Sequence, residues 1–138
     1  MTVYLTPDEV RRLHDREVTA SDLAGVREDL LEAAVMRCQT SAGGQDAFPN
    51  IHSKAAALFT ALIRYHAFAD GNKRTAVLAT HTFYLFNGYF LAVEPEDIIA
   101  LALAVAQGYT DEEDGEVTAR LEGWAQPIKY PDDPALGI

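Results

Sequence analysis

Residues 53–86 read SKAAALFTALIRYHAFADGNKRTAVLATHTFYLF. Two helical patterns meet there across a short polar turn. In the first, with Ser53 as N-cap, Ala55, Leu58, Phe59, Leu62, Ile63 and His66 recur at i, i+3 and i+4 steps. That spacing predicts one apolar stripe ending at His66 and facing the core. After a turn at Ala69 to Gly71, a second helix is expected from Asn72 to Phe86, with Asn87-Gly88 as its C-terminal stop. Val77, Leu78, His81, Phe83, Tyr84, Leu85 and Phe86 make it apolar around much of its circumference, so it is expected to be the central, most buried helix.

The flanks carry the same punctuation, with almost no period-2 alternation. Thr6-Pro7-Asp8-Glu9 is a capping-box start with Pro at the first helical position, and it turns Val10 and Leu13 inward. A helix is expected from about Leu23 to Cys38, with Val26, Leu30, Ala33, Ala34 and Arg37 in helical register. Thr40 to Asn50 is a polar, glycine-bearing loop of a length that tends to be functional. Tyr89 to Val93 reads as a short extended piece. Glu94-Pro95-Glu96-Asp97 opens a helix over Ile98 to Gln107, stopped by Gly108, and Thr110 to Trp124 reads as a last acidic helix. The expected architecture is all-α, a compact bundle of about six helices in one domain over residues 1–125, with a proline-bearing tail at 126–138.

The 138 residues can bury about two thirds of the surface of the unfolded chain, so a core needs no staples. A formal charge of -10 argues against nonspecific binding to nucleic acid or to anionic membrane, so a phosphate ligand has to be held locally. The lone Cys38 excludes an internal disulfide and a multi-cysteine zinc site, and it reads as a small buried hydrophobe. With no basic leader before an apolar run and no stretch as long as a membrane span, a cytoplasmic location is expected.

The turn between the two strong helices breaks the rules of helix building. It sets Gly71, Lys73 and Arg74 in a first turn, where the macrodipole disfavours cations and glycine costs roughly 1 kcal/mol against alanine. A bound polyanion would compensate. Gly71 lets a phosphate approach the backbone, and the amides of Gly71, Asn72 and Lys73 offer it donors. Asp70 can place a carboxylate on a Mg2+ shared with phosphate oxygens, while Lys73 and Arg74 neutralise charge that grows in transfer. Neutral His66 can take a proton from an alcohol, and Phe68 is the apolar anchor between them.

This stretch resembles the Fic/Doc family, whose signature H-x-F-x-[D/E]-G-N-[G/K]-R is met at His66, Phe68, Asp70, Gly71, Asn72, Lys73 and Arg74. The resemblance extends from about Tyr4 to Trp124. Fic proteins that transfer AMP usually have Gly where this chain has Lys73, and often a second Arg where it has Val77, so the details point to the Doc (death-on-curing) branch. Ala67 stands where many Fic proteins have Pro. The resemblance implies ATP or another nucleoside triphosphate with Mg2+, bound so that the γ-phosphate meets the histidine. It further implies phosphorylation of a protein hydroxyl, in the Doc system a threonine of a translation elongation factor, and a small antitoxin whose C-terminal segment packs near the site. It also implies a flap before the motif helix that holds the target, here roughly Gly43 to Asn50.

Other readings stand beside this one. Nucleotidyl transfer (AMPylation) is the rival within the family, and a catalytically silent partner-binding module is the rival outside it. Thr118 to Gly123 fits the family's autoinhibitory pattern [S/T]-x-x-x-E-[G/N], in which Glu122 would pair with the motif arginine, although a solvent-facing glutamate is the plainer reading. His14, His52 and His81 are expected to be surface or core residues. A P-loop is excluded, because its earlier glycine and strand are missing.

Overall fold

Thr6 and Glu9 tie the first helix to its start. The Thr6 N–H donates to Glu9 Oε1 at 2.9 Å and the Glu9 N–H to Thr6 Oγ1 at 3.2 Å, satisfying two donors that a helix start leaves over. The protein is seen in a computed structural model that describes residues 1–17, 25–110 and 115–129. Helix α1 spans Pro7–Glu17, and α2 spans Glu28–Met36, followed by a 3-10 turn over Arg37–Gln39. Then come α3 (Ile51–Arg64), α4 (Asn72–Phe86), α5 (Pro95–Ala106) and α6 (Glu116–Trp124). Two short antiparallel ribbons complete the described residues: β1 (Ser41–Ala42) with β2 (Gln45–Asp46), and β3 (Tyr89–Leu91) with β4 (Ala125–Pro127). The fold is all-α in class, as expected.

The centre of the bundle is α3, where α4 was expected. Every residue from Lys54 to Ile63 is buried, and α3 packs against α2, the 3-10 turn, α4, α5 and α6. Its large residues do form the anticipated stripe, but Ala55, Ala56, Ala57 and Ala61 fill the remaining faces. Side chains that small let neighbouring helices close in from every side. α4 instead leaves Leu85 and Phe86 52% and 45% exposed at its end.

Three helix starts differ from expectation. α3 is capped by Asn50, whose Oδ1 accepts from the His52 and Ser53 N–H groups, while Ser53 Oγ accepts from the Asn50 N–H. Ser53 is therefore the third residue of the helix and the other half of a capping box. α2 begins at Glu28, because Gly25 lies in a turn and Arg27 is extended. The expected residues Leu23 and Ala24 lie outside the described residues. The buried face of α2 is Leu31, Ala34 and Val35, continued by Cys38, one position round from the expected stripe. α6 begins at Glu116 after Gly115; Thr110 is buried and not helical, and residues 111–114 of the expected helix lie outside the described residues.

The segment expected as a loop before α3 contains a hairpin, because Gly43 and Gly44 both take positive φ (61° and 81°), as its two-residue turn requires. A buried lysine anchors it. Lys54 Nζ donates to Asp46 Oδ2 at 3.0 Å and to the Phe48 carbonyl, and lies 5.9 Å from the centre of the Tyr4 ring. Burial pulls the ammonium's pKa down, but the Asp46 hydrogen bond and the Tyr4 and Asp46 charges outweigh it, so the net shift is upward. A raised pKa in the folded state stabilises fully below the ordinary value of 10.5 and is lost as pH rises through the folded value. Lys54→Met is therefore expected to cost roughly 1–3 kcal/mol at neutral pH. That cost should shrink only above the ordinary lysine value, as read by denaturant unfolding at several pH values. A cost that vanishes near neutrality would rule out the ammonium as the anchor.

β3 is not alone either. Tyr89, Phe90 and Leu91 pair with Pro127, Gln126 and Ala125, and the Ile128 N–H donates to the Gly88 carbonyl at 2.8 Å. The boundary expected at residue 125 thus falls inside a strand, and residues from 130 onward lie outside the described residues. Cys38 is buried, and burial pushes its thiol up to about 11, as expected of an inert core residue.

Candidate functional site

Between α3 and α4 the chain makes a loop whose backbone is held from three directions. From the start of α2, the Arg27 N–H donates to the Ala67 carbonyl at 2.8 Å and the Arg27 guanidinium to the His66 carbonyl. From α4, Asn72 brackets Phe68, its Nδ2 donating to the Phe68 carbonyl at 2.9 Å and its Oδ1 accepting from the Phe68 N–H at 3.2 Å. From α1, His14 Nε2 lies 2.7 Å from the Asp70 carbonyl. A carbonyl can only accept, so this nitrogen carries the hydrogen. The His14 ring also stacks on Phe68, with centroids 3.7 Å apart and planes 7° from parallel. Phe68 is buried, which fits its expected part as the loop's anchor.

On this clamped backbone the polar side chains point out. His66, Asp70, Lys73 and Arg74 are exposed, and among the described residues none has a side-chain hydrogen bond or ion pair. His66 departs from expectation in position. α3 ends at Arg64 with Tyr65 as its cap, and His66 follows with φ 52°. The left-handed step breaks the helical register and turns the residue out of the core stripe. Histidine is among the few side chains that tolerate that region, and a strained residue in a loop often marks function.

Gly71 is the N-cap of α4 at φ 82°, ψ 14°, and no side chain caps the helix. A Cβ in that conformation would cost roughly 1–2 kcal/mol. With the Thr75 N–H already donating to the Gly71 carbonyl, the first-turn N–H groups of Asn72, Lys73 and Arg74 are left for an anion. Since the Asn72 amide group is used on Phe68, its contribution there is its backbone N–H. Asp70 to Arg74 line a depression of about 130 Å3, and His66 lies outside that lining. Next to it, a groove of about 430 Å3 runs between α4 and α5, lined by Lys73, Arg74, Val77, Leu78, Ile99 and Ala102.

The donor set also bears on a cation. Among the described residues no three His, Cys, Asp or Glu side chains come together to hold a metal. One carboxylate, Asp70, beside an anion cradle fits a hard cation such as Mg2+, which keeps waters and shares oxygens with a phosphate ligand.

The remaining histidines and Glu122 separate from the loop. His52 Nδ1 lies 3.0 Å from the Tyr84 hydroxyl, in a cluster with Tyr89. His81 is half-buried and its pKa is lowered by burial. Burial, then the charges of Glu122 and Tyr89, raise the Tyr84 phenol. Glu122 is exposed on α6, and no ion pair joins it to Arg74 among the described residues. That placement supports the solvent-facing reading over the autoinhibitory one. Sequence reasoning missed the parts that Arg27 and His14 play at the loop. Arg27 carried no signal. His14 did, because it shares the inward face of α1 with Val10, and a buried polar ring demands a partner.

Two comparisons with known proteins bear on this site. The profile described as Fic/DOC family matches residues 4–84, which takes in α1 to the main part of α4 and the whole loop. The chain is also 44% identical over 100 residues to a protein named Toxin Doc from Mycolicibacterium smegmatis (strain ATCC 700084 / mc(2)155), a match covering 68% of this chain and 72% of that protein. No helix among the described residues is long and apolar enough to cross a membrane. The chain belongs to the Fic/DOC family, on the side of its Doc toxins.

Proposed function

We propose that this protein is the toxin of a toxin-antitoxin pair and that it moves the γ-phosphate of a nucleoside triphosphate to a Ser or Thr hydroxyl of a target protein. The observation that carries this reading is the loop itself: its carbonyls are tied down, while one imidazole, one carboxylate, two cations and a helix N-terminus have no partner among the described residues and face outward. Such a site gains from a polyanion what it lacks in its own chain. The first-turn amides of α4 with Lys73 and Arg74 hold the phosphates, and the apolar floor of the adjoining groove suits a base. Mg2+, held by Asp70 and phosphate oxygens, would supply charge neutralisation when bound. His66 accepts the proton of the target hydroxyl as its oxygen bonds to the γ-phosphorus. The bond from that phosphorus to the β-bridging oxygen breaks, and the nucleoside diphosphate leaves.

ATP as donor, a translation elongation factor as target, an antitoxin as neutralising partner and action in the cytoplasm follow from the Doc resemblance and complete the proposal. The test uses purified protein and a bacterial lysate, with ATP labelled at either the γ- or the α-phosphate and Mg2+ present. Label entering a protein band from γ only is the expected result. Label from α only would replace phosphotransfer by AMPylation, and no label from either would leave a silent partner-binding module.

A further inference from the structure

We infer that His14, outside the motif and on a different helix, is a positioning residue that sets the direction of the Asp70 carboxylate. The inference rests on the proposed role of Asp70 as the ligand of a divalent cation. His14 is fully buried and belongs to α1, yet both of its principal contacts are with the loop. Its Nε2–H donates to the Asp70 carbonyl at 2.7 Å, and its ring lies flat on Phe68 at 3.7 Å. On the other side of the ring, Nδ1 lies 3.2 Å from Asp15 Oδ1.

The consequence follows from where the hydrogen bond lands. Asp70 has no side-chain partner among the described residues, so its carboxylate is aimed only by the peptide planes that carry it. The plane after Asp70 is held by His14, and the next carbonyl, that of Gly71, is already in α4. Gly71, at φ 82°, is a residue that by itself imposes little on its neighbours. Without the His14 donor, the Asp70 carbonyl loses its partner, ψ of Asp70 and φ of Gly71 are no longer fixed, and Cα of Asp70 with its carboxylate can shift against the first turn of α4. The stacking on Phe68 is a separate function, holding α1 to the loop. Hydrogen bond and stack can therefore be removed one at a time.

His14→Phe keeps an aromatic ring over Phe68 and removes the donor, whereas His14→Gln keeps a donor and removes the ring. Mn2+ binding is measured by electron paramagnetic resonance in the presence of the ATP analogue adenylyl imidodiphosphate, with folding followed by circular dichroism. His14→Phe is expected to bind Mn2+ about tenfold or more weakly, in the range seen when groups that orient metal ligands are lost. His14→Gln is expected to remain within about threefold of the wild type while melting at a lower temperature. A role confined to packing would move the melting temperature in both and leave the Mn2+ affinity of the folded protein alone. Unchanged affinity in folded His14→Phe, or equal losses in both variants, overturns the inference. If His14→Phe does not fold, His14→Leu, which also lacks the donor, is read by the same affinity criterion. Asp70→Asn separates this from the site reading. If the wild type takes up no Mn2+ with the analogue, or Asp70→Asn takes it up equally well, the role of Asp70 falls and that of His14 with it.

Discussion

His66→Asn is expected to remove transfer by a factor on the order of 10²–10⁴, the usual contribution of a positioned base, while leaving the melting temperature unchanged. The size of the effect follows from the imidazole being the side chain of the loop whose chemistry suits it to take a proton from an alcohol. The absence of a stability effect follows from geometry. His66 is exposed, its side chain has no partner among the described residues, and its carbonyl bond to Arg27 does not depend on the side chain. Asparagine tolerates the left-handed backbone at φ 52°, so it keeps the loop where alanine would add strain. Labelled-ATP transfer and thermal unfolding on the same preparation check both halves. Activity within about tenfold of wild type would remove His66 as the base.

Phe59→Ala is expected to be strongly destabilising. Phe59 is fully buried in α3, the helix that touches α2, α4, α5 and α6. Deleting a ring there loses its transfer free energy and leaves a cavity that alanine-lined neighbours cannot close without moving whole helices. The expected cost is about 3–5 kcal/mol, against a total of about 5–15 for a domain of ordinary stability. Denaturant unfolding should show the midpoint fall with the slope unchanged. A loss below about 1 kcal/mol would mean that the bundle collapses around the missing ring.

How much of this could be read in advance varies by element, and the reasons are physical. α4 was legible to the residue, because Gly71 and Asn87-Gly88 punctuate both ends. The start of α3 was displaced from Asn50 to Ser53 because the two are halves of one reciprocal cap, each a good N-cap by composition. The burial of α3 on all sides was hidden by its alanines, which count little in a stripe but much in how closely helices approach. The β3–β4 ribbon joins residues more than thirty apart, with Pro127 in the second strand, and nothing local announces such a pairing. In the candidate site, the stretch from His66 to Arg74 stands out in the sequence by residue type and spacing, and the structure places it in the loop between α3 and α4 and in the first turn of α4. The outward turn of His66 was not legible, since it depends on one left-handed residue just past a helix end. The roles of His14 and Arg27 were hidden for the same reason as the ribbon: their partners are distant in sequence.

The burial of α3 reaches beyond packing. A helix buried without a break from Lys54 to Ile63 has little stability outside the bundle, so α3 and the loop that springs from its end are expected to form together with the helices packed around them. If the proposed transfer holds, damage to the core is expected to lower the number of folded molecules and leave the rate of each folded one unchanged, whereas changes in the loop do the reverse.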